Sequence, residues 1–353
     1  MLNMEEIDPN FKIVRKIEKE DIVFYDVRNE PFQIYGVKYE NGLFRRMPEE
    51  AAKRVNKRVG EALHAGPAGG RVRFRTDSPY IGIVVKSPAI SRHSHLTLNA
   101  SLGFDLYIRI DGEDRYIKTF MPAYTSEIGF EYAIDIPYPA GMYDYTINFT
   151  CCSWVSDVYV GLSNNATIEA PTKYRYEKPI VYYGSSITGG ACATRPGMSY
   201  EAILTRRFDI DHINLGFSGN AFGEMAIAEY IRDLDMTVFV YDYDHNAPTA
   251  EHLEQTHERM FKVIRDAHPD LPVIMMPRPK YYLTEEEEQR AAIVKKTYDN
   301  AKAAGDNNVY YIDGRTLMKL AGGEGTVDGT HPTDLGFASM AAAIGDVLET
   351  ILK

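Results

Sequence analysis

The hydrophobic pattern changes its period midway along the chain. Up to about residue 165 the period is two. Arg71-Val72-Arg73-Phe74-Arg75 alternates polar and apolar side chains, residues 143–150 do so again, and Val158, Val160 and Leu162 repeat it. Successive strand residues point to opposite faces, so this alternation predicts strands with one face buried and one wet. Asp111-Gly112, between apolar-rich residues 106–110 and 115–120, marks a hairpin. Short strands separated by turn residues predict an all-β sandwich. One stretch breaks step: Ala51, Ala52, Val55, Val59 and Leu63 follow Pro48 near helical spacing and predict a helix or helical turn.

Beyond residue 178 short apolar runs (180–183, 212–215, 238–241, 273–276, 309–312) alternate with helical stretches (199–207, 224–232, 249–267, 284–304). In the last helix Phe337, Met340, Ala341, Ile344, Val347, Leu348 and Ile351 form one apolar stripe. Fully apolar strands alternating with helices predict a parallel sheet covered on both faces, with its site at the carboxyl ends of the strands. Residues 163–179 are polar with two prolines and read as a connection. The expected organisation is a sandwich over 1–165, a linker over 166–178 and an α/β domain over 179–353. A length of 353 residues agrees with about two domains.

With 39 Lys and Arg against 50 Asp and Glu, the net charge of −11 argues against nucleic acid or an anionic membrane as main partner. Residues 1–20 carry no apolar core of a signal peptide, and no apolar run approaches the ~18 residues needed to span a bilayer. Cys151, Cys152 and Cys192 are too few and too irregular for a disulfide framework, which points to reduced thiols and a cytoplasmic location.

Four segments carry chemistry. Gly184-Ser185-Ser186, after the first α/β strand, can turn tightly and expose a hydroxyl at a strand end. Asp328-Gly329-Thr330-His331, before the last helix, can supply a base and its orienting carboxylate from one loop. Gly216-Phe217-Ser218-Gly219 follows the second strand and Asp244-His245-Asn246 the third. Their N–H groups, with that of Ser186, can form an oxyanion hole. Each of the last two alone is more often a plain turn.

Taken together, these segments resemble the SGNH (GDSL-type) hydrolase superfamily over residues 178–353. The resemblance matches Ser186, Gly219, Asn246 and His331 to the four residues of the family name and Asp328 to its acid. The usual Gly-Asp-Ser is Gly184-Ser185-Ser186 here. Gly103-Phe104-Asp105-Leu106-Tyr107 is similar to the GxDLY motif of a β-sandwich module found ahead of some such domains. The resemblance implies a flavodoxin-like three-layer α/β/α domain preceded by a jelly-roll-like sandwich. It also implies a cofactor-free serine esterase acting on short O-acyl esters of carbohydrate. An acyltransferase using the same residues, and a non-catalytic carbohydrate-binding protein, are the alternatives. Oligomeric state is not readable.

Other residues weigh less. Arg195, Asp105 and His245 are candidate substrate-binding groups, with a structural salt bridge favoured for Arg195 and a hydrogen bond within a sandwich turn for Asp105. His93 and His95 can share a strand face, but two ligands make no zinc site, so no metal is expected. The 25 tyrosines can include platforms for sugar rings. Glu285–Glu288 reads as a solvated helix start.

Overall fold

The computed structural model describes residues 16–353, so the reading of residues 1–20 falls mostly outside the described residues. The alternating segments form two antiparallel sheets. One has the order Ile22–Asp26, Asp157–Ser163, Tyr80–Lys86, Gly129–Asp135. In the other, Arg71–Thr76, Tyr143–Asn148, Phe104–Ile110 and Glu113–Phe120 lie side by side, and Gln33–Tyr35 and Ile168–Glu169 share the outer edge of the first. The hairpin turns at Asp111 and Gly112, both at positive φ, the backbone that matches strand twist. Val72, Phe74, Leu106, Ile108, Ile147, Val158, Val160 and Leu162 meet in one core between the sheets.

The other face of the second sheet is not wet, contrary to the reading of its alternation. Arg71 and Arg73 are 1% and 2% exposed. Asp105, Tyr107 and Asn148, which share this face by cross-strand register, are buried as well. The α/β domain covers them. Arg71 pairs with Asp211 and donates to the His212 carbonyl. Arg109 pairs with Asp209 at 3.0 Å. The supposed linker is part of this joint: Ile168–Glu169 pairs with Arg75 and Thr76, Tyr174 lies 4.1 Å beneath the Arg73 guanidinium, and the first parallel strand already starts at Tyr176.

The second half is a five-stranded parallel sheet of Ile210–Gly216, Tyr176–Gly184, Val238–Asp242, Val273–Met275 and Val309–Tyr311. In chain order this is 2-1-3-4-5, the flavodoxin-like arrangement, whose crevice opens at the carboxyl end where the order reverses. Tyr200–Phe208 and Asp334–Ile351 cover one face, and the stripe of the latter buries Phe337, Met340, Ile344 and Leu348. Met225–Arg232, Ala250–Ala267 and Glu285–Ala303 cover the other. The helical stretch after Pro48 is two short helices, Glu49–Val55 and Lys57–Glu61. Met47, Ala52, Val55 and Val59 pack into the α/β core, beside Val181, Tyr183 and Leu215, rather than into the sandwich.

Candidate active site

The strand Tyr176–Gly184 ends in a close approach that only glycine allows. A side-chain carbon at Gly184 would collide with the Asp242 carboxyl and the Thr188 hydroxyl. Asp242, fully buried at the end of the neighbouring strand, accepts from Thr188 Oγ1 at 2.6 Å and so ties down the turn after the serine. Ser185, which stands where the family carries Asp, is buried and accepts from the Ile187 N–H at 3.1 Å. Ser186 itself is only half-buried. Residues 186–191 coil in turns, and the helix expected over 199–207 runs from Tyr200 to Phe208.

The loop before the last helix returns to this point. Ser186 Oγ lies 2.9 Å from His331 Nε2, and His331 Nδ1 lies 2.7 Å from Asp328 Oδ2. Asp328 Oδ1 accepts from the N–H groups of Thr330 and His331 at 3.0 and 2.8 Å. Burial works to raise the Asp328 carboxyl, but these hydrogen bonds outweigh it and hold it at about 2. The carboxylate therefore stays ionised and fixes the His331 tautomer with Nε2 facing the serine.

The second and third strand ends supply donors. Gly219 has φ +66 and open space around it, so glycine is there for the turn. Asn246 accepts from the Ala221 N–H through Oδ1 at 3.3 Å, which leaves its NH₂ free to donate. Among the described residues, neither the Ser186 nor the Gly219 N–H has a protein acceptor. Ser186, Gly219, Asn246, His245 and His331 line one cavity of about 570 Å³. His245 is pushed down to about 3 by burial and the Arg278 cation, so it is neutral, and its Nε2 has no protein partner among the described residues.

Arg195 and Asp105 are not in this cavity. Arg195 Nη1 pairs with Asp105 Oδ2 at 2.7 Å and its guanidinium lies 3.8 Å over the Tyr116 ring. Asp105, fully buried, also accepts from Gly197 N and Asn148 Nδ2 at 2.8 Å. Both residues join the domains, outside the cavity and engaged with each other, so the salt bridge favoured for Arg195 is what the structure shows. Glu287 is likewise no solvated charge: it is 8% exposed and paired with Arg278 at 2.9 Å and Lys280 at 2.7 Å. Arg278 reaches Asp244, and Arg290 donates to the carbonyls of Asp244 and Ala247 at 2.9 Å, so this network braces the loop that carries Asn246.

The sandwich forms the opposite wall of the cavity, through Arg46, Ser91, His93, His95, Leu96 and Trp154 among others. His93 and His95 lie in a loop, not on a strand. The His95 ring is 5.6 Å from that of His331, and the ligand atoms of His95, Cys192 and His331 lie within 4.8 Å of one another. Both nitrogens of His331 are engaged by Ser186 and Asp328, so this grouping reads as a histidine and its neighbours rather than a metal centre. Among the described residues no tyrosine lines the cavity; its aromatic wall is Trp154, the one tryptophan of the chain. Arg46 and Trp154 escaped the sequence reading, and His95 was weighed there only as a metal ligand, because they belong to loops whose position depends on how the domains dock.

A parallel α/β sheet with a serine, a histidine and a carboxylate in hydrogen-bonded series at its carboxyl edge is the arrangement of a serine hydrolase. Residues 177–349 match the model of the GDSL-like lipase/acylhydrolase family, and residues 22–168 match that of the N-terminus of SGNH-hydrolase-type esterases. The chain belongs to the SGNH (GDSL-type) hydrolases that carry a GxDLY-type module ahead of the catalytic domain, and it is an esterase of that kind. No curated protein matches it. Among solved structures, a Bacteroides ovatus protein provisionally named a GDSL-like lipase is 26% identical with a TM-score of 0.83, over 94% of this chain and 98% of that one. The salicylyl-acyltransferase of a tetracycline biosynthetic pathway is 20% identical with a TM-score of 0.72, over 94% and 98%. A family two carbohydrate esterase from Clostridium thermocellum, solved with cellohexaose, is 15% identical with a TM-score of 0.57, over 81% and 93%.

Proposed function

We propose that this enzyme hydrolyses short O-acyl esters, acetyl above all, on carbohydrate, with Ser186 as nucleophile, His331 as base and Asp328 as its orienting acid. The hydrogen-bonded series from Asp328 through His331 to Ser186, opening on a cleft with free donors, carries the reading. Ser186 Oγ attacks the ester carbonyl and its proton passes to His331 Nε2. The N–H groups of Ser186 and Gly219 and the Asn246 amide stabilise the oxyanion. His331 then protonates the leaving alcohol, and water activated by the same nitrogen cleaves the acyl-enzyme. Nothing in this sequence of steps calls on a cofactor.

Trp154 in the cleft wall supports a sugar as the alcohol, since a flat aromatic face packs against a pyranose ring. The likeness to carbohydrate esterases supports the same choice. Three unpaired cysteines support a reducing, cytoplasmic setting and hence imported oligosaccharides as substrate. Among the described residues no helix is long and apolar enough to cross a membrane.

Ser186→Ala should lower turnover of 4-nitrophenyl acetate and of acetylated xylo-oligosaccharides by about 10⁴ or more with folding unchanged. Activity near wild type in that variant would remove the assignment. The likeness to a salicylyl-acyltransferase favours one second reading, transfer to an acceptor alcohol in place of water. Product analysis with and without added alcohols separates the two.

A further inference from the structure

We propose that Arg46 is an anion subsite of this cleft, and that the preferred ester carries a carboxylate close to the bond that is cleaved. The inference rests on the esterase reading above and names its substrate more closely.

Arg46 comes from the sandwich side and is 8% exposed, yet it lines the same cavity as Ser186. Its Nε donates to the Gly66 carbonyl at 2.8 Å, its Nη1 donates to the Gly216 carbonyl, and its guanidinium lies 5.9 Å from the Phe217 ring centre. Gly216 pairs with Gly184 in the parallel sheet. The cation is therefore held where the strands leading to Ser186 and Gly219 end side by side.

Its surroundings lack a counter-charge. Arg45, Arg71, Arg195 and Arg278 are paired with Glu49, Asp211, Asp105 and Glu287. Arg46 has no carboxylate partner among the described residues. The acidic groups that act on it are the thiols of Cys152 and Cys151 and the carboxyl of Glu201. Burial pushes all three up, Cys152 to about 11, and so disfavours their charged forms. Burial also pushes Arg46 down, to about 10, which still leaves it cationic.

Among the described residues no Asp or Glu lines the cavity; its titratable lining there is Arg46, two cysteines and four histidines. A buried cation without a counter-ion is unfavourable, and two carbonyl dipoles offset only part of that. Nη2 has no protein acceptor among the described residues. A side-chain carbon at Gly66 would fall 2.9 Å from Nη2, so the glycine leaves that nitrogen room. A clasp between Gly66 and Gly216 would need only Nε and Nη1. The remaining donor and the uncompensated charge fit a carboxylate, the group a guanidinium binds best. That carboxylate can sit on the acyl part, as in a dicarboxylic half-ester, or on the alcohol, as in a uronic acid.

Two matched pairs distinguish these sources: 4-nitrophenyl acetate against 4-nitrophenyl hemisuccinate, and O-acetyl glucose against O-acetyl glucuronic acid. The wild type should favour the charged member of one pair by at least about tenfold in kcat/KM, and rising salt should erode that preference. Arg46→Gln should lower kcat/KM of the charged member by at least about tenfold more than that of the neutral one, and Arg46→Lys should keep part of the preference. Hydrolysis of all four esters without charge preference would overturn the proposal, as would equal losses on both members in Arg46→Gln. If Arg46→Gln does not fold, the wild-type salt series decides: a preference that is absent or indifferent to salt overturns it. Calorimetry of succinate, glucuronate and glucose on Ser186→Ala reads the subsite without turnover, and no tighter binding of either anion than of glucose overturns it. Failure of every ester with anion binding intact would count against the esterase reading and not the subsite.

Discussion

Asp242 shapes the turn that carries Ser186 without lining the cavity itself. It is buried, one oxygen accepts from Thr188, and the other has no protein partner among the described residues. Desolvation pushes its carboxyl from 3.8 up to about 8. The folded chain then holds a proton that the unfolded chain releases above the ordinary carboxylate range. The stability tied to this group is complete below about pH 4 and is lost as pH rises toward 8, at up to about 1.4 kcal/mol per pH unit. Asp242→Asn keeps the acceptor for Thr188 and cannot titrate, so its urea midpoint should fall less between pH 5 and pH 8 than that of the wild type. Parallel pH profiles would show that Asp242 ionises freely in the fold. Asp328 presents the opposite case, a carboxylate held ionised to about pH 2. Asp328→Asn leaves the loop intact but lets the amide stabilise the wrong His331 tautomer. Its kcat should drop on the order of 10³–10⁴-fold with little change in melting temperature.

At the level of elements, the polar face of the second sandwich sheet decides how the domains meet. Polar–apolar alternation says that the two faces of a strand differ; it does not say what covers the polar one. That is why the strands around Val72, Leu106 and Ile147 could be read from sequence while the burial of Arg71, Arg73 and Asp105 could not. The same limit separates the parts of the site. Ser186, Gly219, Asn246, Asp328 and His331 were legible because every loop after a parallel strand ends at one edge of the sheet. Arg46, His95 and Trp154 were not, because only domain docking brings them there. Asp105 belongs to this joint, and removing it strands Arg195 with no counter-ion and leaves Gly197 N without its acceptor. Asp105→Ala should therefore lower stability by roughly 3 kcal/mol. Its kcat and KM on 4-nitrophenyl acetate at low temperature should stay near wild type. A raised KM at full stability would return Asp105 to the cleft.

For the whole molecule, the two halves that the hydrophobic period separates do not make two independent cores. Met47, Ala52, Val55 and Val59 lie among the core residues of the α/β domain, against Val181 and Leu215. Fully burying a Val or Met side chain is worth about 1.5–3 kcal/mol. Three such residues supply an amount comparable to the ~5–15 kcal/mol by which a typical protein is stable. Removing residues 1–165 would uncover that apolar surface as well as the face that meets Arg71, Arg109 and Asp105. It would also take away the cleft wall formed by Arg46, His95 and Trp154. The truncated chain should be aggregation-prone and lose turnover even of 4-nitrophenyl acetate, which is too small to need a sugar-binding wall. Supplying residues 1–170 as a separate chain during expression should recover part of the soluble yield and activity. If residues 166–353 alone melted cooperatively and hydrolysed the small ester near the wild-type rate, the helices after Pro48 would be dispensable to the α/β core. The sandwich would then act on the substrate only.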